Sequence, residues 1–318
     1  MTNIVDVAAS LQLVVDEEIA SLSLNQYPMV SRLQKRTISQ EVIKWNANDG
    51  GAGVVGEANT TDVSTFSEDT VKDAQLPIGV DRLRHSFVIR KTHIAQAASA
   101  GKGALRDLFA YQIQSGIRAI MEALSGRVYT GTGISAHGGI VGLDAVVANA
   151  AYAGIDPATY TLWSAVLNTN GSNRALTATL MSNMETAIAR KGGNFTAIYT
   201  TPEIVEKYKA LFAANVSITN QLPAGQADLG YTGVFYAGRP IIQDPYCPAN
   251  KLFFVNEPEV TLYTFSHKDT QSRQGMHIAI AGLPSGNPEA EKYAIYVMPQ
   301  LQVFNRPKFG GCLSAITQ

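Results

Sequence analysis

The chain has 318 residues, 46% of them hydrophobic and only 16% charged, with a formal net charge of −1. That length fills one large domain or two to three small ones, and the charge balance excludes a protein that grips nucleic acid through a strongly basic tract. The low charged fraction, against roughly 25% in ordinary soluble domains, fits a surface covered by partners as well as it fits an apolar-leaning enzyme.

Residues 1–36 read as an arm. A short apolar, helix-like run, Val5 to Ile19, is followed by the polar stretch SLSLNQYPMVSRLQKR. The opening residues lack a basic region ahead of the apolar run and do not read as a signal peptide. An arm laid on a neighbour is favoured over a small N-terminal helix of the core.

Residues 37–93 contain two predicted strands. Thr37 to Trp45 (TISQEVIKW) is β-branched and aromatic with rough alternation, and Arg82 to Thr92 (RLRHSFVIRKT) is the second. The link between them is rich in Gly, Asn, Asp, Ser and Thr. Connections beyond about 12–15 residues without structure are usually functional or disordered. A long two-stranded ribbon is marginal alone in water, so a neighbouring subunit is its expected support; a plain surface loop is the alternative.

Residues 103–128 carry the clearest helical signal. Leu105, Leu108, Phe109, Ile113, Ile117, Ile120, Met121 and Leu124 recur at spacings of three and four, one apolar stripe. The predicted helix is roughly 35–40 Å long. Residues 140–260 read as an α/β region. A helix over Ala175–Lys191 ends at Gly192-Gly193, and a strand follows over Phe195–Tyr199. Thr201-Pro202 then opens a helix to about Phe212, with Thr as cap and Pro at the first helical position. Strands are predicted over Thr232–Tyr236, Arg239–Gln243, Leu252–Val255 and Val260–Tyr263. Further strands, His277–Ala281 and Lys292–Phe304, precede a short, partly apolar tail, Asn305 to Gln318.

No local constellation points to catalysis, a cofactor or a metal. His85, His93, His137, His267 and His277 show no metal-ligand spacing. Cys247 and Cys312 are far apart and fit neither a disulfide framework nor a zinc motif. Cys247 sits between prolines in DPYCPAN, without the electropositive setting a nucleophile needs. Gly131-Thr132-Gly133 follows a helix, the wrong order for a phosphate-cradling turn. No run of about 20 apolar residues is present, so no membrane span is expected.

Two passages carry a family resemblance. GGIVGLDAVV (Gly138 to Val147) followed by YAGIDPATYTLW (Tyr152 to Trp163) is the first, and GRPIIQDPYCPANKLFFVNEPEVTLY (Gly238 to Tyr263) the second. With the order arm, long two-stranded loop, long helix, α/β region and returning strands, the chain resembles the major capsid proteins of tailed phages, of the Hong Kong 97 type. The resemblance implies an α+β fold. Its parts would be an N-terminal arm (1–36), an E-loop β-ribbon (37–93) and a P domain with a spine helix (94–142). An A domain (143–260) and P-domain return strands with a C-terminal tail (261–318) would follow.

It also implies a structural protein of the virion, not an enzyme. Such a chain self-assembles as hexamers and pentamers into an icosahedral shell that encloses double-stranded DNA without sequence-specific binding. Assembly in the host cytoplasm with a portal is expected. The short arm leaves no room for a long built-in scaffold, so a separate scaffolding protein is implied; a decoration protein is an optional partner. Lys44, Lys72 and Lys91 lie in the ribbon region, yet nothing near them marks an isopeptide site, and no crosslink is expected.

The residues expected at contacts between subunits are Trp45, the hinge glycines Gly50, Gly51 and Gly53, and the charged strand positions Arg82, Arg84, Arg90 and Lys91. The rival readings are an encapsulin-type compartment shell, which shares the fold, a soluble α/β enzyme whose site is assembled from distant residues, and a tail-tube or decoration protein.

Overall fold

A computed structural model of the chain describes residues 27–48, 71–92, 102–212, 234–266, 270–273, 276–283 and 290–318. A first short helix, α1 (Pro28–Arg32), buries Met29 and Val30 and leads into strand β1 (Gln34–Ile38). The last ten residues of the predicted arm are therefore built into the body, while residues 1–26 lie outside the described residues. The single strand predicted over 37–45 is divided by the polar turn Ser39–Glu41. β1 ends before it, and β2 (Val42–Asn48) begins after it.

β2 pairs antiparallel with β3 (Val71–Pro77), Ile43 opposite Leu76 and Trp45 opposite Ala74. This pair is the ribbon. The strand predicted as its second arm, β4 (Leu83–Arg90), instead pairs antiparallel with β13 (Ala290–Val297), from Leu83↔Val297 to Arg90↔Ala290. The ribbon is thus narrower than 37–93. Its base also lies on its own subunit: period-two alternation puts Ile43, Trp45, Ala74 and Leu76 on one buried face, and the amide of Gln75 donates to the Ala153 carbonyl at 2.9 Å.

The predicted long helix is α2 (Lys102–Thr130), about 43 Å long at 1.5 Å per residue. Its stripe runs through Ile120, Met121, Leu124 and Val128, all buried. It packs on β4 and β13 so closely that a Cβ on Gly116 would come within 2.6 Å of Ile295 and 2.8 Å of His85. β4 and β13 belong to a four-stranded sheet, completed by β12 (Met276–Leu283) and β11 (Thr270–Arg273) in the order β11-β12-β13-β4. A second sheet of three strands joins β1, β10 (Val260–Phe265) and β14 (Pro299–Val303). One strand was predicted over 292–304, but it is interrupted at Met298, and the chain changes sheet there, Pro299 opening β14 as a first residue that cannot donate to the ladder.

After a short helix α3 (Leu143–Val147), the α/β region is a six-stranded sheet. Its strands, in chain order, are β5 (Val166–Asn168), β6 (Ala197–Thr200), β7 (Val234–Tyr236), β8 (Arg239–Gln243), β9 (Lys251–Val255) and β15 (Gly310–Ser314). Helices α4 (Ala178–Arg190) and α5 (Pro202–Phe212) flank it. Thr177 caps α4 by accepting a 3.2 Å hydrogen bond from the amide of Leu180. The segment predicted as a plain tail therefore holds a fully buried strand, β15, parallel to β5 and antiparallel to β9. Five residues of mostly small side chains (GGCLS) give little sequence signal of such a role.

Two buried polar side chains knit these parts together. Gln300 is 0% exposed. Its Nε2 donates to the carbonyls of Pro77 at 2.7 Å and Gly139 at 3.1 Å. Its Oε1 accepts from the amides of Val141 at 2.9 Å and Leu301 at 3.1 Å. Arg306, also 0% exposed, donates from Nε to the Val146 carbonyl at 2.8 Å and from Nη2 to the Ala148 carbonyl. It thereby caps the C-terminus of α3, where a cation is favoured.

Candidate assembly interface

Three of the predicted contact arginines share one face because β4 alternates. Arg82, Arg84, Ser86, Val88 and Arg90 are exposed, whereas Phe87 and Ile89 point into the core beneath α2. Lys292 on β13, opposite Val88, extends this basic face, and Lys91 stands exposed just past the strand. The Arg82 guanidinium sits 5.1 Å from the centroid of the Tyr296 ring, a cation–π contact.

Trp45 is not a surface contact. It is 8% exposed, its Nε1 donates to the Phe304 carbonyl at 3.0 Å, and its ring lies tilted against Tyr152 with centroids 6.5 Å apart. The alternation that buries Ile43 buries Trp45 too, so it anchors the ribbon to its own body. Gly50, Gly51 and Gly53 lie outside the described residues, as do His93 and His267.

Sequence reasoning missed a cleft of about 540 Å³ between the ribbon base, the segment 155–163, the C-terminal end of α4 and the segment 304–308. Leu162 and Phe304, 58% and 55% exposed, stand in its wall, and Lys72, Arg190, Lys191 and Lys308 bring four cations to it with no Asp or Glu among the described lining residues. Lys72 lies 5.1 Å from the Tyr160 ring centroid. The Lys191 ammonium donates to Ser164 and Ala165. These positions are scattered between Lys72 and Lys308, so no local motif marks them.

Glu257 fixes α1 to the body. It accepts two hydrogen bonds from Arg32, at 2.6 and 3.0 Å, and further ones from the hydroxyls of Tyr199 and Thr196. Burial pushes its carboxyl up, but Arg32, Tyr199 and Thr196 together hold it below its ordinary value. A carboxylate depressed in the folded state contributes stability above its unfolded pKa, and that contribution is lost as pH falls through the folded value. Glu257→Gln is therefore expected to lower stability by about 1–2 kcal/mol at neutral pH, the exposed Arg32 end being screened by water. As pH falls through the depressed folded value the variant and the parent should converge. Thermal melting across pH 3–7 checks this; a gap that widens on acidification would contradict it.

The thiols of Cys247 and Cys312 are free and buried. Burial, reinforced by Asp244 beside Cys247 and by Asp144 beside Cys312, pushes both up, the opposite of an activated nucleophile. His137 Nδ1 accepts from the Thr132 amide at 3.1 Å and so holds the loop after α2. Among the described residues no three His, Cys, Asp or Glu side chains come together as a metal site, and no helix is long and apolar enough to cross a membrane.

The profile of one family, the SU10 major capsid protein, matches residues 6–290. No curated protein sequence matches the chain. Among solved structures, the fold is shared with the cyanophage A-1(L) capsid asymmetric unit, at 24% identity and a TM-score of 0.78 over 96% of this chain and 98% of that one. It is also shared with the capsid of a native GTA particle, at 10% identity and 0.66 over the whole of both chains. The SrpI encapsulin of Synechococcus elongatus PCC 7942 is similar at 13% identity and 0.63, over 98% of this chain and 96% of that one. At these identities the structural likenesses speak to the fold.

Proposed function

This chain belongs to the SU10 major capsid protein family, and from that premise we propose that it closes into an icosahedral shell of hexamers and pentamers around double-stranded DNA. The observation that carries the reading is the family match across residues 6–290. The protein works by binding copies of itself and not by catalysis. Shell assembly proceeds in the host cytoplasm on a portal, with a separate scaffolding protein; a decoration protein is an optional addition. The E-loop is the ribbon of β2 and β3 with its tip, α2 is the P-domain spine, and the six-stranded sheet forms the A domain.

In this reading the basic face of β4 (Arg82, Arg84, Arg90, with Lys91 beside it) meets acidic side chains of a neighbour. Exposed ion pairs are worth only about 0–1 kcal/mol each, so this face sets register, and closure of the shell multiplies many weak contacts.

The ribbon tip supplies reach between copies. Asn48 pairs directly with Val71, so residues 49–70 can be replaced by Asn-Gly, which closes a two-residue hairpin. Removing 47–78 instead would take away the buried Ala74, Leu76 and Ile78. The Asn-Gly variant is expected to be soluble and folded, with shell yield down at least about tenfold, which corresponds to the loss of roughly 1.4 kcal/mol or more of contact energy. Negative-stain microscopy of purified protein, co-expressed with and without a scaffold, is the check. Normal shells from the variant would remove the tip's role. Wild-type protein that stays small and monodisperse under every condition would remove the shell reading itself.

A further inference from the structure

The near-neutral net charge conceals a partition. Residues 1–26 and 49–70 hold nine of the chain's 26 acidic residues and none of its 25 basic ones, leaving 17 acidic against 25 basic residues elsewhere. The acids of 49–70 are mostly dispersed, at Asp49, Glu57, Asp62 and Glu68-Asp69. Those of 1–26 include the run Asp16-Glu17-Glu18, set inside the apolar stretch Leu11 to Ile19, LQLVVDEEI.

The cleft beside the ribbon base has the complementary chemistry. Its wall offers the exposed apolar side chains Leu162 and Phe304 next to the exposed cations Arg190 and Lys308. Buried behind it, Arg306 keeps one guanidinium nitrogen, Nη1, without a hydrogen-bond partner. Burial pulls the Arg306 guanidinium down, partly offset by Tyr152 and Asp156. Burial, then the Arg306 charge, also pulls the Lys191 ammonium down. No Asp or Glu stands among the described lining residues of the cleft, and where the local dielectric is lower a carboxylate entering it gains more than one at an open surface. A cleft of about 540 Å³ accommodates a few side chains, not a domain.

We propose that this cleft receives the acidic, apolar stretch 11–19 of a neighbouring copy, with Leu13 to Val15 against Leu162 and Phe304 and Asp16 to Glu18 against Arg190 and Lys308. The proposal rests on the shell reading only in placing donor and acceptor on different copies. It makes assembly salt-sensitive through a defined contact, since an ion pair at a partly open cleft weakens as the Debye length shrinks.

The test uses the full chain. Shells are assembled from an equal mixture of ¹⁵N-labelled and unlabelled copies and treated with a carbodiimide, which joins carboxylates to amines in direct contact. Mass spectrometry should find Asp16, Glu17 or Glu18 joined to Lys308 or Lys191, in pairs that mix the two isotopes. Arg190→Glu with Lys308→Glu should cut shell yield at least tenfold, and adding Glu17→Lys with Glu18→Lys should restore it. Crosslinks to Lys308 only from Glu57, Asp62, Glu68 or Asp69 would overturn the proposal, as would a complete absence of mixed-isotope pairs or failure of the charge swap. If wild-type copies never form shells, the shell reading fails. The same crosslinks, mapped on the soluble species, still decide what the cleft holds.

Discussion

Gly310→Ala is expected to leave little or no soluble protein. Gly310 opens β15 with φ at +124°, a region that side chains rarely adopt, and a Cβ there would lie 1.9 Å from the carbonyl oxygen of Phe254. No flexible side chain can yield, because the obstacle is the backbone of β9, the strand that β15 pairs with in register Gly310↔Val255. Relief requires β15 to leave the sheet, and with it the buried Cys312 and Leu313. The loss is expected to exceed about 4 kcal/mol, a large part of the roughly 5–15 kcal/mol that holds a domain folded. Gly282→Ala in β12 is the matched control: it is exposed, and a Cβ there meets nothing within 4 Å. That variant should stay within about 0.5 kcal/mol of the parent. Soluble yield and thermal melting of the pair check this; Gly310→Ala melting within a few degrees of the parent would refute the packing of β15.

Gln300→Leu is the second large effect. Leucine preserves much of the volume but none of the hydrogen bonds, so the carbonyls of Pro77 and Gly139 and the amide of Val141 lose the partner that Gln300 supplies. Leaving a buried polar group unpaired costs about 1–3 kcal/mol, so a loss of about 3–6 kcal/mol is expected. That corresponds to a melting temperature lower by about 10 °C or more. Gln300→Glu separates the hydrogen bonds from the volume. It keeps an acceptor for Val141 but sets a carboxylate oxygen against two carbonyls, so it should be at least as damaging as Gln300→Leu. Because Pro77 ends the ribbon and Gly139 lies in the loop after α2, both variants should also loosen the ribbon base. Faster amide exchange at Ile43 and Leu76 would show it, and unchanged exchange with a normal melting temperature would show that this node is not needed.

The basic face of β4 was legible from sequence because it depends on one strand's parity: once residues 82–90 are extended, Arg82, Arg84 and Arg90 must share a side. Trp45 was misread for a related reason. Alternation puts it with Ile43 on one face, but which face meets the body depends on Tyr152 and Phe304, more than 100 residues away. The ribbon's second strand was misassigned because β3 (VKDAQLP) is polar and ends in proline, whereas β4 (LRHSFVIR) has the stronger strand composition. Pairing follows register and turn position, which composition does not encode. The cleft had no sequence signal, since Lys72, Arg190 and Lys308 meet only through the packing of three separate segments.

By itself the sequence determined the elements whose signals are local: the apolar stripe of α2, the Gly192-Gly193 stop of α4, the Thr201-Pro202 start of α5, the strand character of β4, β8, β9 and β10, and the order of parts that resembles a capsid subunit. Tertiary structure alone decided which strand completes the ribbon, that β15 enters the six-stranded sheet, that Gln300 and Arg306 are buried, and that four lysines and arginines converge at one cleft. The physical reason is the range of the forces involved. Helix periodicity, capping and strand alternation act within a few residues of chain, whereas strand pairing and the burial of polar groups are settled by partners that only the folded chain brings within hydrogen-bonding distance.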